Sequence, residues 1–174
     1  MSIARPQPTG REIAWGEDEL IVSKTDLKGI ILYANQTFLR IAGYSEEELL
    51  GQPHSIIRHP EMPKCVFKLL WDTIAAGDEI FAYVKNMAKN GDHYWVFAHV
   101  TPTIGANGRI IGYHSNRRCP ERKQVDLFEG LYAKLLAEER RHADWREGMG
   151  SATNMLQAAI GEQGMEYAEF VFSV

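Results

Sequence analysis

The sequence predicts an α+β fold: a five-stranded antiparallel sheet with short helices on one face, followed by a C-terminal helical extension. Three observations predict it. Two β-rich runs, LIVSKTD (20–26) and GIILYAN (29–35), stand close together near the N-terminus. A stretch of short helical patterns broken by Pro and Gly follows, and then three strand-like runs separated by Asn-Gly turns. Strands that come in hairpins, with the helices grouped between them, make an α+β domain rather than an alternating α/β one.

The chain opens with Pro6, Pro8, Gly10 and Gly16 among polar residues, anchored only by Ile13 and Trp15. Residues 1–18 are therefore expected to be an arm that packs back on a domain spanning 19–120. Asp26 and Gly29 supply turn chemistry between the first two strands. After Asn35, an N-cap type, QTFLRIAGY places Phe38, Ile41 and Ala42 on one helical face. SEEELLG repeats the logic: Ser45 caps, Glu48 completes a capping box, Leu49 and Leu50 are expected inward, and Gly51 terminates. Pro53, Pro60 and Pro63 limit any helix over 52–63 to about one turn. Beyond Pro63, Val66, Phe67, Leu70, Trp71 and Ile74 form the stripe of a longer helix that should cross the sheet and end at Gly77.

Residues 79–118 read as a three-stranded meander turning at Lys89-Asn90-Gly91 and at Asn107-Gly108. From Glu121 the pattern is helical and charged. Val125, Phe128, Tyr132 and Leu135 form a narrow seam that needs either a second copy of the chain or the domain itself as partner. A weaker helical patch (153–160) and the apolar tail EYAEFVFSV complete the extension, residues 121–174.

Composition excludes several classes. The 174 residues suffice for one core plus an appendage, and the formal charge of −4 arises from 19 basic and 23 acidic residues dispersed along the chain. With no field of one sign, nucleic acid is not an expected partner. No signal peptide and no membrane span is expected, which predicts a cytoplasmic location. Cys65 and Cys119 stand far apart without CxxC spacing, so reduced thiols rather than a disulfide or a zinc site are expected. His93, His99 and His114 fall on strands without a nucleophile elbow, HExxH or paired-Asp spacing, and neither GxGxxG nor a P-loop occurs. Turnover catalysis is not expected.

The segments TDLKGIILYANQTFLRIAGYSEEELLGQPHSIIRHPEMPK, LW, VKNMAKNGDHYWV and GYHSNRR occur in an order that resembles a PAS domain, and more narrowly the PAS domain of bacterial aerotaxis receptors, over about residues 20–120. The resemblance implies non-covalent FAD and a sensory role in which flavin redox state reports oxygen or electron transport. It rests most on Arg58, His59, Pro60, Met62 and Pro63. The chain departs from the family pattern at Glu61, where Asp is common, and at Ile80, where Trp is expected. It also lacks a recognisable output region in 121–174, so it is either a stand-alone sensor or the sensory piece of something longer.

A flavin needs an apolar slot, amides for its polar edge and cationic or N–H partners for its pyrophosphate. Arg58, His59 and Met62 with Glu61 on the Pro-bounded loop, His54 beside it, Trp71 on the long helix, and the amides of Asn35 and Asn86 are the candidates. Several have a plainer reading: Arg58 and Glu61 as a surface ion pair, Trp71 as a core aromatic, Asn35 as a helix cap, and a loop His as a hydrogen-bond donor. Haem coordinated by His54 or His59 is the competing cofactor. No Asn-Cys-Arg-Phe-Leu-Gln type motif supports a cysteinyl-flavin adduct, and Cys65 reads as a small buried residue. A ligand-free homodimerisation module is the remaining alternative, with the arm, a sheet face or the C-terminal helix as interface. For a flavin sensor, Asn86 should reorient on reduction, and Tyr94, Val96 and Ile111 or their alternates, on the sheet face away from the helices, should pass the change to a downstream signalling partner or to the helix after Cys119.

Overall fold

A computed structural model of the chain describes residues 6–174. β1 (Ile21–Thr25), β2 (Ile31–Ala34), β3 (Ile80–Met87), β4 (His93–Ile104) and β5 (Ile110–Arg118) form one sheet in the order β2-β1-β5-β4-β3, and every pair of neighbours is antiparallel. The β1–β2 turn closes on Asp26, whose Oδ1 accepts from the backbone N–H groups of Lys28 and Ile30 at 2.8 and 2.9 Å. Gly29 takes the left-handed φ of 77° that the turn requires.

Helix α1 (Gln36–Ala42) starts at Asn35, whose Oδ1 accepts from Phe38 N–H at 3.0 Å. The same amide accepts from Val22 N–H and donates to Leu20 O, which fixes the helix start to β1. Helix α2 (Glu46–Leu49) carries the full Ser45/Glu48 capping box. Leu49 is buried, but Leu50 is 36% exposed, because the helix is a single turn and Leu50, its C-cap, has already returned to extended backbone. A 3-10 turn (His54–Ile57) and helix α3 (Lys64–Ala75) follow, each entered through a proline, Pro53 and Pro63.

Alternation along the strands divides the sheet into two faces. Ser23, Val84, Asn86, Tyr94, Val96 and Arg117 face α1–α3, whereas Tyr83, Lys85, Trp95 and Phe97 face α4 (Arg122–Arg140) and α6 (Tyr167–Ser173). Tyr94 and Val96, expected on the face away from the short helices, are fully buried beneath them; their alternates Trp95 and Phe97 carry the other face, and Ile111 is exposed near the start of β5. The α4 seam is used within the chain. Phe128 stacks on Tyr83 with ring centroids 4.3 Å apart, and Val125, Phe128, Tyr132 and Leu135 are all buried. Each such side chain contributes about 1.5–3 kcal/mol, and the seam is therefore not an available dimer surface.

Helix α5 (Trp145–Gly161) packs on both α4 and α3. Gly148 meets Glu139 so closely that a Cβ would lie 2.3 Å from its carbonyl oxygen. Strand β3 is one of the two sheet edges, and two of its outward groups are covered: Tyr132 Oη donates to Tyr83 O at 2.6 Å, and Lys85 N–H donates to Met62 Sδ at 3.3 Å. Helix α3 has no side-chain cap of its own from Pro63; instead the buried Glu139 carboxylate of α4 accepts from Cys65 N–H at 2.8 Å. The described part of the arm, residues 6–18, pairs with β4 ahead of the stretch that β5 occupies, with Ile13 N–H on His93 O, His93 N–H on Arg11 O and Trp15 Nε1–H on Trp95 O; residues 1–5 of the expected arm lie outside the described residues. No helix among the described residues is long and apolar enough to cross a membrane.

Candidate functional site

The prolines around SIIRHPEMPK turn the chain from the 3-10 helix back to the sheet edge, where Arg58 forms an antiparallel bridge with Asn86 of β3. This places a cation and an amide side by side. Helix α3 crosses above them and brings Phe67 and Trp71 over the same space. The result is a cleft of about 300 Å³ lined by Gly29, His54, Arg58, Phe67, Trp71 and Asn86, with Lys28 at its edge. The Arg58 guanidinium lies 3.8 Å from the centre of the Phe67 ring, a cation–π contact that holds it in the wall.

Trp71 determines the depth of the cleft. Its ring meets Tyr113 edge-on at 5.6 Å and covers Gly29 so closely that a Cβ there would lie 2.9 Å from it. Behind it is a smaller chamber of about 70 Å³ lined by Ser23, Val100, Tyr113 and Ser115, and Trp71, Leu70 and His54 border both spaces. Ile80, in the position of the expected Trp, packs with Ile74, Val100 and Tyr113 beside this chamber.

The cleft is electropositive. Its lining includes Lys28 and Arg58 and no carboxylate. Burial, with Arg117 and then Arg58 adding repulsion, lowers the His54 imidazole to about 3, so the ring is neutral at pH 7. Beyond His54, the fully buried Arg117 donates to Ser23 Oγ at 2.5 Å and stands 4.5 Å from the centre of the Phe38 ring. Arg117 lies within the GYHSNRR segment but is not among the candidate site residues the sequence offers. The signal was present, since the spacing Tyr113, Ser115, Arg117 places it on the buried face of a strand.

His54, Arg58, Trp71 and Asn86 thus come together. The other candidates do not join them. Asn35 caps α1, and His59, Glu61 and Met62 lie beyond the β3 edge around Lys85. There Glu61 pairs with the Lys85 Nζ at 2.5 Å rather than with Arg58, and Glu129 of α4 reaches the same ammonium at 3.0 Å. Burial lowers the Lys85 pKa, and the hydrogen bonds to Glu61 and Glu129 more than restore it. The His59 ring is 2% exposed, accepts from Glu61 N–H through Nδ1, and is lowered to about 4 by burial and then by Lys85. A separate pocket of about 360 Å³ lies here, lined by Glu61, Met62, Lys85, Trp95, Glu129 and Tyr132. Cys65 lines neither space, and burial with Glu139 beside it raises its thiol to about 12.

A five-stranded antiparallel sheet with short helices enclosing a cation-rimmed cleft on one face defines an α+β domain of the PAS type. The chain belongs to the PAS fold family, whose model matches residues 31–117. It is 40% identical over 134 residues to the aerotaxis receptor of Escherichia coli (strain K12), an alignment covering 77% of this chain and 26% of that protein. The nitrogen fixation regulatory protein of Klebsiella pneumoniae is 29% identical over 97 residues, which is 56% of this chain and 20% of the relative. The chain therefore spans about a quarter or less of the length of these two relatives. Among solved structures, a light-oxygen-voltage domain studied with a flavin analogue superposes with a TM-score of 0.56 at 20% identity over 71% of this chain and 87% of its own. The light-oxygen-voltage domain of the blue-light photoreceptor Aureochrome1, in its dark structure, gives 0.52 at 25% identity over 70% and 83%.

Proposed function

We propose that this chain is a sensory domain that binds a flavin non-covalently, FAD as the aerotaxis-receptor resemblance implies, and reports its redox state by a conformational change rather than by turnover. The observation that carries the reading is the cleft itself: Trp71 and Phe67 offer flat apolar surface, Asn86 an amide, and Arg58 with Lys28 positive charge, with no lining carboxylate to repel an anion. When bound, the flavin supplies reversible electron uptake. The residues of the chain would bind and orient it, with the Asn86 amide in the cleft lining as the group for its polar edge.

The structure supports a route outward. Asn86 alternates with Lys85 on β3, and Lys85 is tied to α4 through Glu129. Tyr132 of α4 grips the same strand at Tyr83, and α3, which carries Trp71, is capped by Glu139 of α4. Reorientation of Asn86 would therefore bias α4, provided the two redox states make different contacts. Within a longer protein, α4–α6 would hand the change to a downstream signalling partner.

Haem is less well supported, because His54 Nε2 faces Ser23 and Arg117 and His59 Nδ1 accepts from Glu61 N–H. The test is the absorption spectrum of protein prepared with FAD supplied. Flavin bands that bleach with dithionite are expected. A Soret band, or a protein colourless despite added FAD, would overturn the reading.

A further inference from the structure

The cleft explains His54 and Arg58 but not the charge behind them. Arg117 is among the most deeply buried side chains, and among the described residues its Nε has no hydrogen-bond partner and no carboxylate forms an ion pair with it. Burial lowers it to about 10, which still leaves it a cation at neutral pH. A buried charge without a counter-ion is costly, and a guanidinium has no acceptor with which to form a neutral network.

Its contacts are informative about protons. Arg117 Nη2 donates to Ser23 Oγ at 2.5 Å, Nη1 lies 3.5 Å from His54 Nε2, and Ser23 Oγ lies 3.2 Å from that same Nε2. The guanidinium only donates. Ser23, whose oxygen receives from Arg117, can still give its own hydrogen to the ring. The Arg117 approach requires a lone pair on Nε2, and the Ser23 hydroxyl can donate to the same atom, so the hydrogen of the neutral imidazole is assigned to Nδ1. The groups around His54 are Arg117 from β5, Ser23 from β1, Phe38 from α1 and Arg58 from its own loop; two are cations and none is an acid.

We propose that Arg117, acting with Ser23, is a positioning residue that holds His54 as the Nδ1–H donor at the cleft wall and keeps an uncompensated positive charge behind it, so that the site favours a ligand form carrying additional negative charge. The identity of that ligand rests on the flavin reading above; the tautomer of His54 does not. A flavin that takes one electron from a one-electron donor, and no proton, gains one unit of negative charge. Arg117 is the buried cation that such a charge would face across His54.

Two measurements test this independently. In ¹⁵N-histidine-labelled protein, His54 should show a protonated Nδ1 and an unprotonated Nε2 at pH 7. Ser23→Ala and Arg117→Met should mix or invert the two signals; an Nε2–H ring in the unaltered protein overturns the proposal whether or not flavin binds. In FAD-loaded protein, Arg117→Met should weaken binding of the one-electron-reduced form at least tenfold relative to the oxidised form, about 59 mV more negative for that couple. Arg117→Lys should stay near the unaltered value. Equal potentials for the Met variant and the unaltered protein overturn the proposal. If Arg117→Met does not fold, Arg117→Gln takes its place in the potential measurement and Ser23→Ala decides the tautomer: an unaltered potential in the first, or a pure Nδ1–H ring in the second, overturns it. Failure of the unaltered protein to take up FAD refutes the flavin reading and leaves the tautomer measurement standing.

Discussion

Replacing Gly29 with Ala tests how the cleft is built. Two costs follow from the structure. The left-handed φ of 77° costs an L-residue about 1–2 kcal/mol, partly offset by about 0.4–1 kcal/mol from the stiffer unfolded chain. In addition, the new Cβ would lie 2.9 and 3.1 Å from two ring atoms of Trp71, where ordinary contact begins at 3.4 Å, so the indole must move by a few tenths of an ångström. Its opposite side is held edge-on by Tyr113 at 5.6 Å, so the movement disturbs the second chamber. A combined loss of about 2–3 kcal/mol is expected, of the size seen for strained or overpacked sites. Urea unfolding followed by circular dichroism should show the midpoint falling by about 1 M at a slope near 2 kcal/mol/M. In Gly29→Ala/Trp71→Phe the smaller ring removes the contact but not the backbone strain, and a coupling of about 1 kcal/mol between the two sites should appear. An unchanged midpoint in Gly29→Ala, or strict additivity in the double variant, would show that Trp71 does not rest on Gly29.

Removing the Tyr132 hydroxyl as Tyr132→Phe strips the cover from a carbonyl of edge strand β3 and should cost about 1–3 kcal/mol in the same assay; a loss below 0.5 kcal/mol, as an estimate of what a spare hydrogen bond would cost, would mean the edge is satisfied otherwise. Arg58→Ala should lower flavin content with the urea midpoint nearly kept, whereas His59→Ala should lower it only together with a loss of stability, because His59 packs beyond the β3 edge rather than in the cleft; retained flavin in Arg58→Ala would remove Arg58 from the site. His54 and His59 are held neutral in the fold, at about 3 and about 4 against 6.5 when unfolded. As the pH falls below 6.5 the unfolded chain therefore binds protons that the folded chain refuses. Stability is complete above pH 6.5 and should decline at up to about 1.4 kcal/mol per pH unit per histidine down to about pH 4. Unfolding midpoints that are flat from pH 7 to 5 would contradict this, and His59→Phe should reduce the slope.

The fold was legible where local rules act alone. Asn35, Ser45 with Glu48, Gly29 and the Asn-Gly turns are short-range signals, and the helices and hairpins they mark are present. Leu50 was misplaced because a one-turn helix has too few residues for its period to fix a face. Between Tyr94 and Val96 and their alternates the sequence left the face open, and the alternates Trp95 and Phe97 carry it: alternation shows which residues share a side, but not which side the helices cover. In the site, Arg58 was reached through the Pro-bounded loop motif, whereas Trp71 and Asn86 were reached by asking which flat surface and which amide a flavin would need, and His54 by its place beside the loop. The separation of His59, Glu61 and Met62 from the cleft depends on which way a Pro-bounded loop crosses the edge of β3, and the Lys85 cluster that holds them draws Glu129 from 44 residues away. Arg117 was missed because an Arg flanked by Asn116 and Arg118 looks solvated until the buried side of its strand is known.

The Glu139 carboxylate at the start of α3 bears on how the protein assembles. A helix normally carries its own terminator signals, but α3 borrows its N-terminal partner from a residue 74 positions later. Such a contact closes a long loop, so it forms late during folding. A polypeptide ending at Arg118, with the whole sheet present, would still leave the first turn of α3 with an exposed, unmatched amide and Trp71 on a helix free to fray. The cleft would then be finished only when α4 arrives, which makes residues 122–140 part of the maturation of the pocket as well as its outlet.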